Sequence, residues 1–190
     1  MENFLVIENL FSKEFCKNLV ETSEKIGYAE ADISYSSGAK MNKEYRNNDR
    51  LLYENEGMRS FIEHKLKEYT PNESTLIGEG GTLHKVPFLR LSGKFRLYRY
   101  TPGQKFKKHR DSNQLEEGGV SLYTVLVYLN ECNDGDGGET SLYIPGYEDK
   151  IMVRPSIGNV LIFDHSIAHT GEELKNGVKY VLRTDFIYKP

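Results

Sequence analysis

The run "YTPGQKFKKHRDSNQ" places a histidine and an aspartate two residues apart, His109 and Asp111, in a chain with five histidines. Taken alone the pair is weak, since composition yields a His-x-Asp by chance in about one such chain in five. An exposed turn pair is the plain alternative. The pair gains meaning only with a third ligand from a distant segment, and "NVLIFDHSIAHTGEEL" offers two, His165 and His169. Two imidazoles and one carboxylate on one face of an octahedron bind Fe(II) and leave the opposite face open for substrate and oxygen. Lys179 follows in "GVKYVLRTDFIY", ten residues past His169 and fourteen past His165. A cation facing inward from that strand could bind the remote carboxylate of a 2-oxoacid chelated to the iron.

Alternation puts Lys179, Val181, Arg183 and Asp185 on one face of this strand. Four rises of about 3.3 Å separate Lys179 from Arg183, roughly 13 Å. Both cations can line an interior, yet they are not expected to hold one carboxylate together. Arg183 has a second reading, a pairing with Asp185. His165 reads as a rim histidine, with displacement of His169 as its alternative. "DGDGGE" is not a calcium loop, because counting from Asp134 puts Pro145 where the bidentate glutamate is required.

The elements that must position these groups are legible as runs. "FLVIENL" predicts a short strand, and a helix follows over about Lys13 to Lys25, with Ser12 as N-cap and Phe15, Leu19 and Val20 on its buried face. A second helix is expected from Glu54 to Tyr69, with Met58, Phe61, Ile62, Leu66 and Tyr69 at helical spacing and Pro71 beyond its end. The polar "YSSGAKMNKEYRNNDR" reads as a surface excursion, and "LIGEGGTLHKV" as a mobile loop. After Gly93 six aromatic and β-branched runs, "KFRLYRY", "SLYTVLVYLN", "TSLYI", "IMVRP", "NVLIFD" and "KYVLRTDFIY", are separated by Gly/Pro/Asp turns. Six short strands after two helices predict a jelly-roll sandwich or barrel braced by N-terminal helices.

Composition narrows the function classes. At 190 residues the chain suits one domain, with residues 1–92 as a strand-helix support and 93–190 as the core. A net charge of −3 and no basic stripe argue against nucleic acid or an anionic membrane as partner. Cys16 and Cys132 form no metal-type or redox-type spacing, which suits a reduced compartment. With no basic leader and only a short, interrupted apolar run at the start, a cytoplasmic location is expected.

In order along the chain, "YRYTPGQKFKKHRDS", "LVYLNECNDGDGGETSLY", "PSIGNVLIFDHSIAHTGEEL" and "GVKYVLRTDFIY" resemble the Fe(II)/2-oxoglutarate-dependent dioxygenases of prolyl 4-hydroxylase type. The resemblance covers about Gly93 to Pro190, and "IENLFSKEFCKNLVE" is similar to the family's helical entry. It implies a mainly β fold with N-terminal helices (α+β), built on a double-stranded β-helix (jelly roll, cupin-like). It further implies His109, Asp111 and His169 as iron ligands and Lys179 as partner of the distal 2-oxoglutarate carboxylate. Tyr100 and Tyr128 match positions that contact the co-substrate, and Arg183 a position near the iron or substrate. The implied cofactors are Fe(II), 2-oxoglutarate and O2, with ascorbate as an optional reductant.

The implied reaction is hydroxylation of an unactivated C–H bond with release of succinate and CO2. A prolyl residue in a protein or peptide is the first expectation for substrate. A free amino acid, another side chain or a small metabolite stays open. From a different class, a catalytically silent β-helix used for binding is the alternative.

Overall fold

The computed structural model describes residues 4–31, 33–35, 38–40 and 42–190. The chain begins with β1 (Phe4–Ile7), α1 (Lys13–Ile26), β2 (Ala29–Glu30), β3 (Ile33–Tyr35) and β4 (Gly38–Lys40). Next come β5 (Asp49–Glu54), α2 (Glu56–Leu66), β6 (Glu73–Ile77) and β7 (Leu83–Leu91). The second half is nearly all strand: β8 (Lys94–Tyr100), β9 (Phe106–His109), β10 (Leu115–Glu116) and the long β11 (Gly119–Tyr128). It ends with β12 (Thr140–Tyr143), β13 (Ile151–Val153), β14 (Val160–Asp164), β15 (Ala168–Gly171) and β16 (Lys179–Tyr188).

A large antiparallel sheet runs β1-β14-β11-β16-β8-β5-β2, with β7 also on β16 and β6 beyond it. A four-stranded sheet runs β13-β12-β15-β9. This is the double-stranded β-helix with N-terminal helices that the sequence implied. The central strands β11, β14 and β16 bury both faces, so they read as near-continuous apolar runs instead of alternating ones. Val125 and Val127 of β11, Ile162 of β14 and Leu182 of β16 join α1 and α2 in one cluster. Their neighbours Leu126, Tyr128, Phe163 and Val181 pack with Leu142 of the small sheet in a second cluster. The pocket lined by His109, Asp111 and His169 lies on this second, inter-sheet side.

The helices begin where their caps dictate. Ser12 accepts the Phe15 N–H at 3.1 Å, as expected for an N-cap. The second helix starts at Glu56, not Glu54, because β5 continues through Glu54 and Asn55 caps by accepting the Met58 N–H at 2.8 Å. Cys16, Leu19, Ile62 and Leu66 carry the helix burial, whereas Phe61 is left 42% exposed.

Two loop expectations are corrected. "LIGEGGTLHKV" is mostly a hairpin: Ile77 pairs with Leu83 and the Gly78 N–H donates to Thr82 O at 2.7 Å. The glycines are confined to its turn, while the flanking Leu, Ile and Val residues pair as strands. The excursion "YSSGAKMNKEYRNNDR" lies partly outside the described residues. Its described end is not a plain surface loop, for Arg46 and Asn48 are buried and Asp49 opens β5. No helix among the described residues is long and apolar enough to cross a membrane.

Candidate metal centre

Antiparallel pairing of β9 with β15 sets His109 directly opposite His169. Asp111 lies just past the end of β9, and its oxygens reach back to both imidazoles. His169 Nε2 is 3.7 Å from Asp111 Oδ2, and His109 Nε2 is 3.9 Å from Oδ1. One ligand atom from each of His109, Asp111 and His169 falls within 4.8 Å of the other two. His165 is not in this group. It is buried behind it, with Nδ1 3.3 Å from Asn113 Oδ1 and Nε2 3.4 Å from Asp185 Oδ1.

Both triad histidines are fixed in the tautomer a metal needs. His109 Nδ1 lies 2.8 Å from Lys107 O, and His169 Nδ1 lies 3.0 Å from Ile167 O. A carbonyl only accepts, so each Nδ1 carries the hydrogen and each Nε2 presents a lone pair. Burial, and the neighbouring His169, push the His109 imidazole down to about 3, so it is neutral at physiological pH. Burial likewise lowers His169. Asp111 moves toward ionisation. Burial opposes that, but the charge of Arg183 beside it outweighs burial and holds the carboxyl well below the usual range.

The carboxylate is also aimed. Arg183 Nη1 donates to Asp111 Oδ1 at 2.8 Å, and the Thr124 hydroxyl donates to Oδ2 at 2.6 Å. Arg183 is in turn gripped by Asp185 at 3.1 Å, and Asp185 by Arg96 at 3.0 Å. Each Asp111 oxygen keeps a further lone pair for a metal. Two neutral imidazoles and one oriented carboxylate fit a 2-His-1-carboxylate iron site.

Alternation along β16 brings Lys179, Val181 and Arg183 to the wall of the same pocket, with Tyr98 and Tyr100 from β8 and Thr140 from β12. Lys179 is 3% exposed and forms no ion pair among the described residues. Its Nζ donates to Gly138 O at 2.5 Å and stands 5.1 Å above the Tyr100 ring. Burial holds the ammonium down to about 8. Gly138 is needed for that approach: at φ +77° its Cβ would meet Leu174 at 2.9 Å and Lys179 Cδ at 3.4 Å.

The remaining expected residues are placed differently. Tyr100 lines the pocket. Tyr128 is fully buried below it, with its hydroxyl donated to Thr140 at 2.8 Å and its ring 5.8 Å from Lys179 Nζ. Arg183 lines the pocket, but its guanidinium is occupied by Asp111 and Asp185. Tyr98, Thr124 and Thr140 were not singled out from the sequence. Period-two alternation with Tyr100 on β8, and with Leu126 and Tyr128 on β11, is the signal that marks Tyr98 and Thr124.

Residues 95–186 match the model of the 2OG-Fe(II) oxygenase superfamily. A curated protein of Acanthamoeba polyphaga mimivirus named "Putative prolyl 4-hydroxylase" is 34% identical over 77 residues, covering 36% of this chain and 29% of that protein. The match thus spans under a third of that relative's length. Among solved structures, a prolyl hydroxylase from Trichoplax adhaerens in complex with a hypoxia inducible factor peptide superposes with a TM-score of 0.73 at 17% identity. That likeness covers 98% of this chain and 84% of the other. A Pseudomonas putida prolyl-4-hydroxylase gives 0.68 at 11% identity, covering 99% and 93%. The viral collagen prolyl hydroxylase of Paramecium Bursaria Chlorella virus-1, in its 2OG complex, gives 0.64 at 18%, covering 100% and 97%. Residues 95–186 are thus similar to the 2OG-Fe(II) oxygenase superfamily, and the fold is like that of the prolyl hydroxylases.

Proposed function

We propose that the chain is an Fe(II)- and 2-oxoglutarate-dependent dioxygenase that hydroxylates an unactivated C–H bond, with formation of succinate and CO2. The observation that carries this reading is one pocket holding both a His109–Asp111–His169 cluster and a buried, ion-unpaired Lys179. In this reading His109, Asp111 and His169 hold iron, which supplies the oxygen activation when bound. Lys179 donates to the distal carboxylate of 2-oxoglutarate, with Tyr100 beside it. Arg183 acts through Asp111, keeping the carboxylate ionised and pointed at the metal. Thr124 fixes its second oxygen. Leu126, Val181 and Phe106 supply the apolar wall that keeps water from competing for the site.

For substrate, a prolyl residue in a protein or peptide has the most support, from the mimivirus relative and the three prolyl hydroxylase neighbours. Residues 93–190 form the catalytic core in this reading, and 1–92 its support. The test is an anaerobic titration of metal-free protein with Fe(II) and 2-oxoglutarate, watching for the weak visible charge-transfer band of the chelate. A saturable band that is lost in His109→Ala supports the reading. Absence of the band and of retained metal favours a binding module built on the same fold.

A further inference from the structure

Arg46 is a second buried cation, packed against two rings of the same pocket, and no acidic group among the described residues pairs with it. It lies in the segment that runs beside β9, bridged to Phe106, and is 6% exposed. Its Nε donates to Asn48 Oδ1 at 2.8 Å, while Nη2 is buried with no hydrogen-bond partner. Among the described residues it forms no ion pair. The guanidinium is clamped between two rings, 4.7 Å from the Tyr98 centroid and 4.5 Å from that of Phe106. Both rings line the pocket that holds the metal triad. The Tyr98 hydroxyl is buried there too, also without a partner. Burial would raise this phenol, but the charges of Arg46, Arg183 and Arg96 reverse the effect and lower it.

Stacking on two aromatic faces offsets part of the cost of burying a guanidinium, but not the cost of leaving it uncompensated. The pocket's charges show what is missing. Asp111 and Asp185 are shared among Arg183 and Arg96, so Lys179 and Arg46 remain. The co-substrate's distal carboxylate answers Lys179. A peptide carbonyl would satisfy a donor at Arg46 without answering its charge. A carboxylate does both, taking Nη2–H on one oxygen and the Tyr98 hydroxyl on the other.

We infer that Arg46 and Tyr98 form an anion subsite that takes a carboxylate of the primary substrate beside the metal triad. The inference rests on the dioxygenase reading and deepens it: within the prolyl class, the substrate is a free or C-terminal prolyl unit, not one in mid-chain.

The test is a calorimetric titration of the protein, held anaerobically with Fe(II) and saturating 2-oxoglutarate, with N-acetylproline and with its amide. The acid should bind at least tenfold tighter than the amide. Arg46→Met should erase that preference, Tyr98→Phe should reduce it and Arg46→Lys should keep part of it, with 2-oxoglutarate affinity within twofold of wild type in all three. Equal binding of acid and amide, or a preference that survives Arg46→Met, overturns the subsite. If neither binds, the prolyl reading has failed, and acetate against acetamide reads the subsite alone. An acetate preference lost in Arg46→Met then upholds it, and no preference overturns it. If no 2-oxoglutarate chelate forms at all, the dioxygenase reading is wrong and the subsite falls with it. Should Arg46→Met fail to fold, the Tyr98→Phe and Arg46→Lys titrations decide.

Discussion

His109 and His169 are cross-strand partners on β9 and β15, sixty residues apart in sequence, with ring centroids 4.1 Å apart. The ladder holds both backbones, each Nδ1 is tied to the carbonyl two residues before it, and the two Nε2 atoms converge with Asp111. The candidate ligand set is therefore organised by the fold before any ion binds.

His109→Ala, Asp111→Ala and His169→Ala should each abolish iron retention and 2-oxoglutarate turnover while leaving a folded β protein. Metal content by emission spectrometry and far-UV circular dichroism check the two halves of this statement. His165→Ala separates the two histidine assignments. It should keep the metal, because His165 faces Asn113 and Asp185 and not the triad. An active His169→Ala beside a dead His165→Ala would reverse the ligand choice.

Arg183 neutralises two buried carboxylates at once, so its removal leaves Asp111 without a cation and Asp185 with Arg96 alone. Arg183→Met should cost about 3–5 kcal/mol of stability, the range for breaking a buried pair from one side. Asp111, no longer oriented, should also lose metal affinity by 10–100-fold, as an outer-shell partner does on mutation. Urea unfolding and competitive metal titration read the two effects. A variant with unchanged metal affinity would remove Arg183 from any role at the site.

What the sequence made legible follows from what each segment is made of. The six strands β8, β11, β12, β13, β14 and β16 are rich in β-branched and aromatic residues and announce themselves. The two strands that carry the histidines do not. "FKKH" and "AHTG" are short and polar, and they are strands because they pair with each other and with β12. The candidate ligands are therefore legible by chemical type and motif order, not by periodicity. Lys179 was legible from its place in a long strand. Arg46 was hidden because a polar run, "NKEYRNNDR", gives no sign that its arginine folds inward between two rings.

The two triad imidazoles make the metal-free protein acid-sensitive. Both are held below the ordinary histidine value by burial, His109 at about 3. A group whose folded value is depressed contributes stability above its unfolded value, and loses it as pH falls. The loss begins near 6.5, with a slope of up to about 1.4 kcal/mol per pH unit for each histidine. Asp111 and Asp185 add nothing in this window, since both stay ionised down to lower pH. Urea unfolding at pH 7.0 and 5.5 should show the drop, and His109→Ala and His169→Ala should each flatten it.

Lys179 gives the opposite window. Burial holds its ammonium down to about 8, against an ordinary value of 10.5. Between those two values the unfolded chain binds the extra proton, so the metal-free, ligand-free fold gains stability as pH rises through that range. At pH 7 the full cost of the buried charge is present. Lys179→Met should therefore raise the melting temperature at neutral pH, even as it weakens 2-oxoglutarate binding at least tenfold, about 1.4 kcal/mol. For the wild type in the proposed reading, the co-substrate's distal carboxylate requires the charged amine. Its affinity should be flat below about pH 8 and then fall, approaching tenfold per unit. Lys179→Arg keeps a charge that does not titrate in this range, and its affinity should not show that fall. Dissociation constants at pH 7 and 9, followed by the charge-transfer band, test this directly. A wild-type profile that stays flat through pH 9 would take the carboxylate away from Lys179.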